Sequence, residues 1–279
     1  MKKLMIAAAA MAAGVAIADV TSANIVGYNN ITLNKEYTLM TLTFEKVSGG
    51  SMTINEAFPF CDAMTCAQAN TGADNVQVMN AGGGYDIYFL SNGHYGFKGK
   101  NFNENITNKW VNIETTIDAS TMPDTDQIRP GSGFWYLSRK ATKDTPQTIT
   151  VAGGVSLVEK ESYDITKEYT LVGCPFPAPV AINGGIEVSD STCAQANTGA
   201  DNIQIMNTDG GYDIYFISNG HYGFKGKNFN ENITNKWVNI ETTIDASTMP
   251  DAATFPVGGG AWFLSRSKKG TLKFINPVK

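Results

Sequence analysis

Histidine is the scarcest chemically active residue in this chain: there are two, His94 and His221. They occupy one equivalent position in two copies of the same stretch, so no histidine pair exists at metal-binding spacing. A Ser/His/Asp hydrolase needs a single histidine and survives that count, but no G-x-S-x-G elbow is present. Basic residues are also few: 21 Lys and Arg stand against 26 Asp and Glu, for a formal net charge of −5. Nucleic-acid binding draws on Lys/Arg patches that release counterions, and no basic run exists to form one. Long apolar runs are missing as well. Beyond the N-terminus nothing approaches the about 20 predominantly apolar residues that span a bilayer, so no membrane insertion is expected after the leader is removed. Cysteine is limited to Cys61, Cys66, Cys174 and Cys193, with no C-x-x-C pair of the kind that builds zinc or redox sites. Neither a metal nor another cofactor is expected.

The N-terminus itself has the order of a secretory signal. Lys2 and Lys3 precede an apolar stretch over residues 4–15, which ends in Ala16-Ile17-Ala18. The expected organisation is a signal peptide over residues 1–18 and a mature chain from Asp19 that is secreted to the periplasm, cell surface or exterior. No cysteine follows the small residues to accept a lipid.

The mature sequence is one unit written twice. Residues 66–140 align without a gap onto residues 193–267, with about four positions in five matching, and residues 91–123 are repeated letter for letter at 218–250. Lys35-Glu36-Tyr37-Thr38-Leu39 recurs as Lys167-Glu168-Tyr169-Thr170-Leu171. Each unit is long enough to fold around its own core. Two domains are therefore expected, residues 19–153 and 154–279, meeting near Gly153-Gly154.

Within each unit the periodicity is that of strands. Val76-Gln77-Val78-Met79 and Ile203-Gln204-Ile205-Met206 alternate, which places Val76, Val78, Ile203 and Ile205 toward a core. Residues 85–90 form a second run, bounded by Gly82-Gly83-Gly84 and Ser91-Asn92-Gly93, and the two runs read as a hairpin. Residues 37–44, 110–113, 134–137 and 148–151 supply further strands. One short helix per copy is the most that the spacing allows, around residues 54–58 in the first. The expected fold is all-β, with two tandem homologous antiparallel β-sandwich or barrel-like domains.

The opening Asn24-Ile25-Val26-Gly27-Tyr28, the Gly84-Tyr85 pair, the turn and strand Pro130-Gly131-Ser132-Gly133-Phe134-Trp135 and the closing β segment resemble a group of exported β-rich proteins. These occur in many paralogous copies in bacteria of the planctomycete and verrucomicrobial group. The resemblance implies a β fold and brings no activity with it. The second copy departs from it at the late turn, which reads Val257-Gly258-Gly259-Gly260-Ala261-Trp262.

Candidate sites are few. Asp74, Asp86, Asp118, Asp124 and Asp126 raise the thought of calcium, but no D-x-D-x-D-G loop occurs and Asp126 becomes Ala253 in the second copy. Tyr95, Phe97 and Trp110, with their twins Tyr222, Phe224 and Trp237, could stack on sugar rings, because an aromatic ring offers an apolar body beside polar edges. Alternating aromatics are equally the pattern of a half-buried strand, and core packing is the competing expectation for Phe97, Phe102 and Trp110. Four cysteines allow three pairings. Because Cys66 and Cys193 are equivalent positions, independent units would pair internally, Cys61 with Cys66 and Cys174 with Cys193, in an oxidising compartment; four reduced thiols are the alternative. Function is read as a non-enzymatic structural or adhesive protein of the cell surface or extracellular matrix. A carbohydrate-binding protein is the alternative, and the partners would be polysaccharide or other copies of the chain.

Overall fold

The computed structural model of the chain describes residues 25–34, 36–95, 101–115, 118–166, 168–222, 228–242, 245–266 and 269–279. The expected signal peptide lies outside them. In the first copy the elements are β1 (Val26–Leu33), β2 (Tyr37–Thr41), β3 (Met52–Thr53), α1 (Ile54–Ala57), β4 (Asn75–Met79), β5 (Tyr85–Tyr95), β6 (Asn101–Asn112), β7 (Gln127–Ile128), β8 (Gly133–Leu137) and β9 (Gln147–Gly154). In the second copy they are β10 (Lys160–Ile165), β11 (Glu168–Gly173), β12 (Val180–Ala181), β13 (Ile186–Val188), β14 (Asn202–Met206), β15 (Tyr212–Ser218), β16 (His221–Tyr222), β17 (Asn228–Phe229), β18 (Lys236–Asn239), β19 (Thr254–Phe255), β20 (Gly260–Ser265) and β21 (Gly270–Ile275).

The fold is all-β, with 48% strand and 5% helix. Each copy is built on an open five-stranded antiparallel sheet, ordered β2-β8-β4-β5-β6 in the first and β11-β20-β14-β15-β18 in the second. No closed barrel forms among the described residues. Terminal strands pair inside their own copy: β1 lies antiparallel to β9, and β10 to β21.

Alternation on the strands explains the layering. Val76 faces inward with Tyr88 and Tyr136, its partners on β5 and β8, and packs with Leu33, Ile149 and Val151 from the β1–β9 ribbon. The second copy repeats this with Ile203, Tyr215 and Phe263 against Ile165, Leu272 and Phe274. Val76, Ile203 and Ile205 are buried as expected, whereas Val78 is half-buried at the margin of the core.

The helix at residues 54–57 is a single turn closed by a capping box: Glu56 N donates to Thr53 Oγ1, and Thr53 N donates to the Glu56 carboxylate. At the corresponding place in the second copy the chain runs through Asn183-Gly184-Gly185, with Gly184 at φ +88°, and no helix forms there. Residues 91–93, which read as a turn, instead carry a bulge through which β5 continues to Tyr95. Gly93 at φ +88° supplies the left-handed residue that such a bulge requires.

Candidate functional site

Trp110 and Trp237 are core residues, which corrects their reading as ligand platforms. Trp110 is fully buried on the inner face of β6, edge-on to Phe58 and Tyr136, and its indole N–H donates to Phe58 O at 2.7 Å. An asparagine clamps the same residue by its backbone. Asn55 Oδ1 accepts from Trp110 N at 2.9 Å while Asn55 Nδ2 donates to Trp110 O and Asp124 O. Asn183 repeats the clamp on Trp237 and Asp251. The alternation that made these tryptophans attractive places them opposite Leu90 and Ile217, on the inward face.

Of the other candidates, Tyr95 closes β5 and Tyr222 closes β16. Tyr95 and Tyr222 are half-buried there, and Phe97 and Phe224 lie outside the described residues. The exposed aromatic ring is one that alternation had assigned to the core: Phe102 is 55% exposed and Phe229 54%. Each meets a histidine edge-on, His94 with Phe102 and His221 with Phe229, at 5.3 Å between ring centroids in both. Glycine makes this approach possible, since a Cβ at Gly93 would lie 2.6 Å from the Phe102 ring.

The cysteines require a second correction. Cys61 is not joined to Cys66, nor Cys174 to Cys193; all four are thiols. Cys66 Sγ donates to Asn108 Oδ1 at 3.1 Å and Cys193 Sγ to Asn235 Oδ1 at 3.2 Å. The two equivalent cysteines thus share a hydrogen-bonding role to an asparagine that sits, in each copy, at φ +56°. Cys174 is buried with its thiol directed at the carbonyls of Phe176 and Ala178, and burial pushes its pKa up to about 12. A thiol so placed is inert. Thiol titration of the denatured, unreduced protein should count four reactive groups; two or none would restore the bridged pattern.

The aspartates considered for calcium are separately employed. Asp74 is buried and accepts from Arg139 N at 2.8 Å and from the Tyr136 hydroxyl at 3.0 Å, and burial raises its pKa above the usual carboxylate range. Asp126 accepts from the Tyr88 hydroxyl, Asp86 from Asn80, and Asp118 from Ser120. Among the described residues no group of three or more His, Cys, Asp or Glu is placed to hold a metal ion.

Two features escaped the sequence reading. The first is an aromatic corner on the outer face of each five-stranded sheet. Tyr37 meets Trp135 at 6.3 Å and 87°, and Tyr169 meets Trp262 at 5.6 Å and 78°. The tyrosines are 43% and 44% exposed, the tryptophans half-buried. Gln77 and Gln204 are the cross-strand neighbours of the two tryptophans.

The second is the joint between the copies. Thr41 N donates to Gly258 O at 3.0 Å, and Gly173 N donates to Gly131 O at 2.9 Å. Antiparallel bridges join Met40 to Gly259 and Ser132 to Val172. In the repeat alignment these are the same contacts with the copies exchanged, the arrangement of an isologous dimer interface within one chain. Glycine is again the reason that the backbones meet: a Cβ at Gly133 would lie 2.8 Å from Val172 N, and one at Gly260 2.9 Å from Met40 O.

Compared with protein-family models, curated proteins and solved structures, the chain matches none.

The reciprocity stops at the side chains beside the joint. Arg129 lies 4.5 Å above the Tyr163 ring and pairs with Glu161 at 3.0 Å, and Tyr163 donates to Pro130 O at 2.6 Å. On the other side Pro256 and Ile31 occupy the equivalent positions, beside Gly258. One cleft at the joint is therefore lined with Arg129, Asp164 and Tyr169, and its twin with the neutral Asn30, Thr32 and Asn34.

Proposed function

We propose that the chain is a non-catalytic structural or adhesive protein that acts outside the cell, on its surface or in the surrounding matrix. The observation that carries this reading is the joint. Hydrogen bonding from backbone to backbone runs between the copies, so tension on one copy is transmitted to the other through the fold as well as through the connecting chain. The surface is thereby presented in duplicate, including the tips on which Phe102 and Phe229 are exposed. Polar side chains support the same reading, since the half-buried Asn55 and Asn183 and the buried Asp74 are spent on holding strands and turns together.

The purified full chain should associate with whole cells or their isolated envelope. Replacing both tip rings, Phe102→Ala with Phe229→Ala, should weaken that association several-fold, because aromatic anchors are among the minority of interface residues whose truncation costs more than about 1 kcal/mol. Turnover of any ester or glycoside substrate by the unaltered chain, or no association with envelopes, would refute the proposal. A carbohydrate-binding role is the second reading. It is favoured by the aromatic corners at Tyr37–Trp135 and Tyr169–Trp262, which replace the buried tryptophans as the surface a sugar ring could meet.

A further inference from the structure

We infer that the two aromatic corners form one divided binding site for an extended, uncharged polysaccharide lying along the outer sheet faces. The inference rests on the carbohydrate-binding reading and gives it a place and a ligand class. Three observations carry it. Each corner holds a half-exposed tyrosine at a right angle to a tryptophan, with a glutamine amide on the neighbouring strand. Such a corner offers apolar ring surface to the C–H face of a pyranose and amide groups to its hydroxyls. The charge of the face selects the ligand. On β2, β8, β4 and the first half of β5, and on their counterparts β11, β20, β14 and β15, every outward residue is uncharged. The inward or peripheral positions hold Asp86, Asp213 and Glu168 instead. The strand face itself offers no counter-charge to a uronate, a phosphate polymer or a nucleic acid, and the cations at its border are already paired, Arg129 in the Tyr169 cleft with Glu161 and Arg139 with Glu36 next to Tyr37, whereas a neutral glycan loses nothing by this.

Placement supplies the third observation. Trp135 is two residues along its strand from Gly133, and Trp262 two from Gly260, so each lies about 7 Å from a joint contact at the usual strand rise. Because the joint is fixed by reciprocal backbone bonds, both corners keep a set separation. A repetitive polymer that reaches both gains from the second contact without a further loss of translational freedom.

The test is retention of the full chain on microcrystalline cellulose, chitin, an insoluble mixed-linkage β-glucan and a cross-linked α-glucan, with an alginate gel as the charged comparison. The unaltered chain should be retained on at least one neutral polymer and not on alginate. Tyr37→Ala or Tyr169→Ala alone should weaken retention at least about tenfold, and the two together should abolish it, as loss of avidity requires. Tyr37→Phe with Tyr169→Phe keeps the rings and should retain binding, which separates a lost stacking surface from a lost fold. If the double alanine chain, shown folded by its circular dichroism, binds a neutral polymer as tightly as the unaltered chain, the corners are not the site while the carbohydrate reading stands. If the unaltered chain is retained on none of the polymers, alginate included, both fall. Retention on alginate alone would overturn the uncharged ligand class.

Discussion

Trp110→Ala should lower the unfolding free energy by about 3–5 kcal/mol, the usual range for deleting a large aromatic side chain from a packed core. Three features of the site place it at that scale. The ring is fully buried and touches Phe58 and Tyr136 edge-on, so neighbours already packed against other rings cannot collapse freely into the space. Phe58 O also loses its donor, and an unsatisfied buried carbonyl adds about 1–3 kcal/mol to the bare transfer loss. Meanwhile the Asn55 clamp acts on backbone atoms and survives the change, so the strand stays anchored and the loss reads as core packing. Trp110→Phe should cost less than the alanine change, because it refills most of the volume and fails only at the carbonyl. Urea unfolding followed by circular dichroism measures both. A loss below about 1 kcal/mol for the alanine variant would mean that the ring is not in the core and would return Trp110 to the list of ligand contacts.

The sequence revealed what depends on period two and little of what depends on the meeting of distant strands. The β4–β5 hairpin and the inward set of Val76, Ile203 and Ile205 followed from alternation, because a half-buried strand sorts its side chains face by face. Trp110 belonged to that pattern and was drawn out of it by its chemistry. Strand β6 was legible only near Trp110, since its outer part is an edge of asparagine, glutamate and threonine without apolar alternation. Phe102 shows the limit of the rule: it sits beyond the bulge, where the pleat no longer reports which face meets the core. A cue for the aromatic corners was present in Gly133-Phe134-Trp135-Tyr136-Leu137, where the tryptophan has the opposite parity to the core pair Phe134 and Tyr136. The disulfide reading failed at its weakest step. It gave Cys61 and Cys174, which have no counterparts in the other copy, the partnership of two cysteines whose shared role is a hydrogen bond to asparagine.

Gly133→Ala and Gly260→Ala should each destabilise the chain by about 1–3 kcal/mol, and together they should divide a single unfolding transition into two. The added methyl at residue 133 would stand 2.8 Å from Val172 N and 2.9 Å from the Leu171 carbonyl carbon. Both are backbone atoms of a strand that is itself hydrogen-bonded into its sheet, so neither rotates out of the way. At residue 260 the nearest atoms are Leu39 Cγ and Met40 O, again 2.9 Å away. The faces must therefore part, and parting lengthens the Thr41–Gly258 and Gly173–Gly131 hydrogen bonds that couple the copies. Each copy retains its own buried cluster, around Trp110 in the first and Trp237 in the second, so the damage should stop at the joint. Calorimetry of the unaltered chain should show one cooperative endotherm. The double variant should show two, the lower one displaced by about 2–4 °C for each kcal/mol lost. Trp110→Ala added to that background should then move one transition and leave the other in place. If the double variant melts in one step at the original temperature, the backbone contact between the copies does not couple them, and the structural reading of the joint fails.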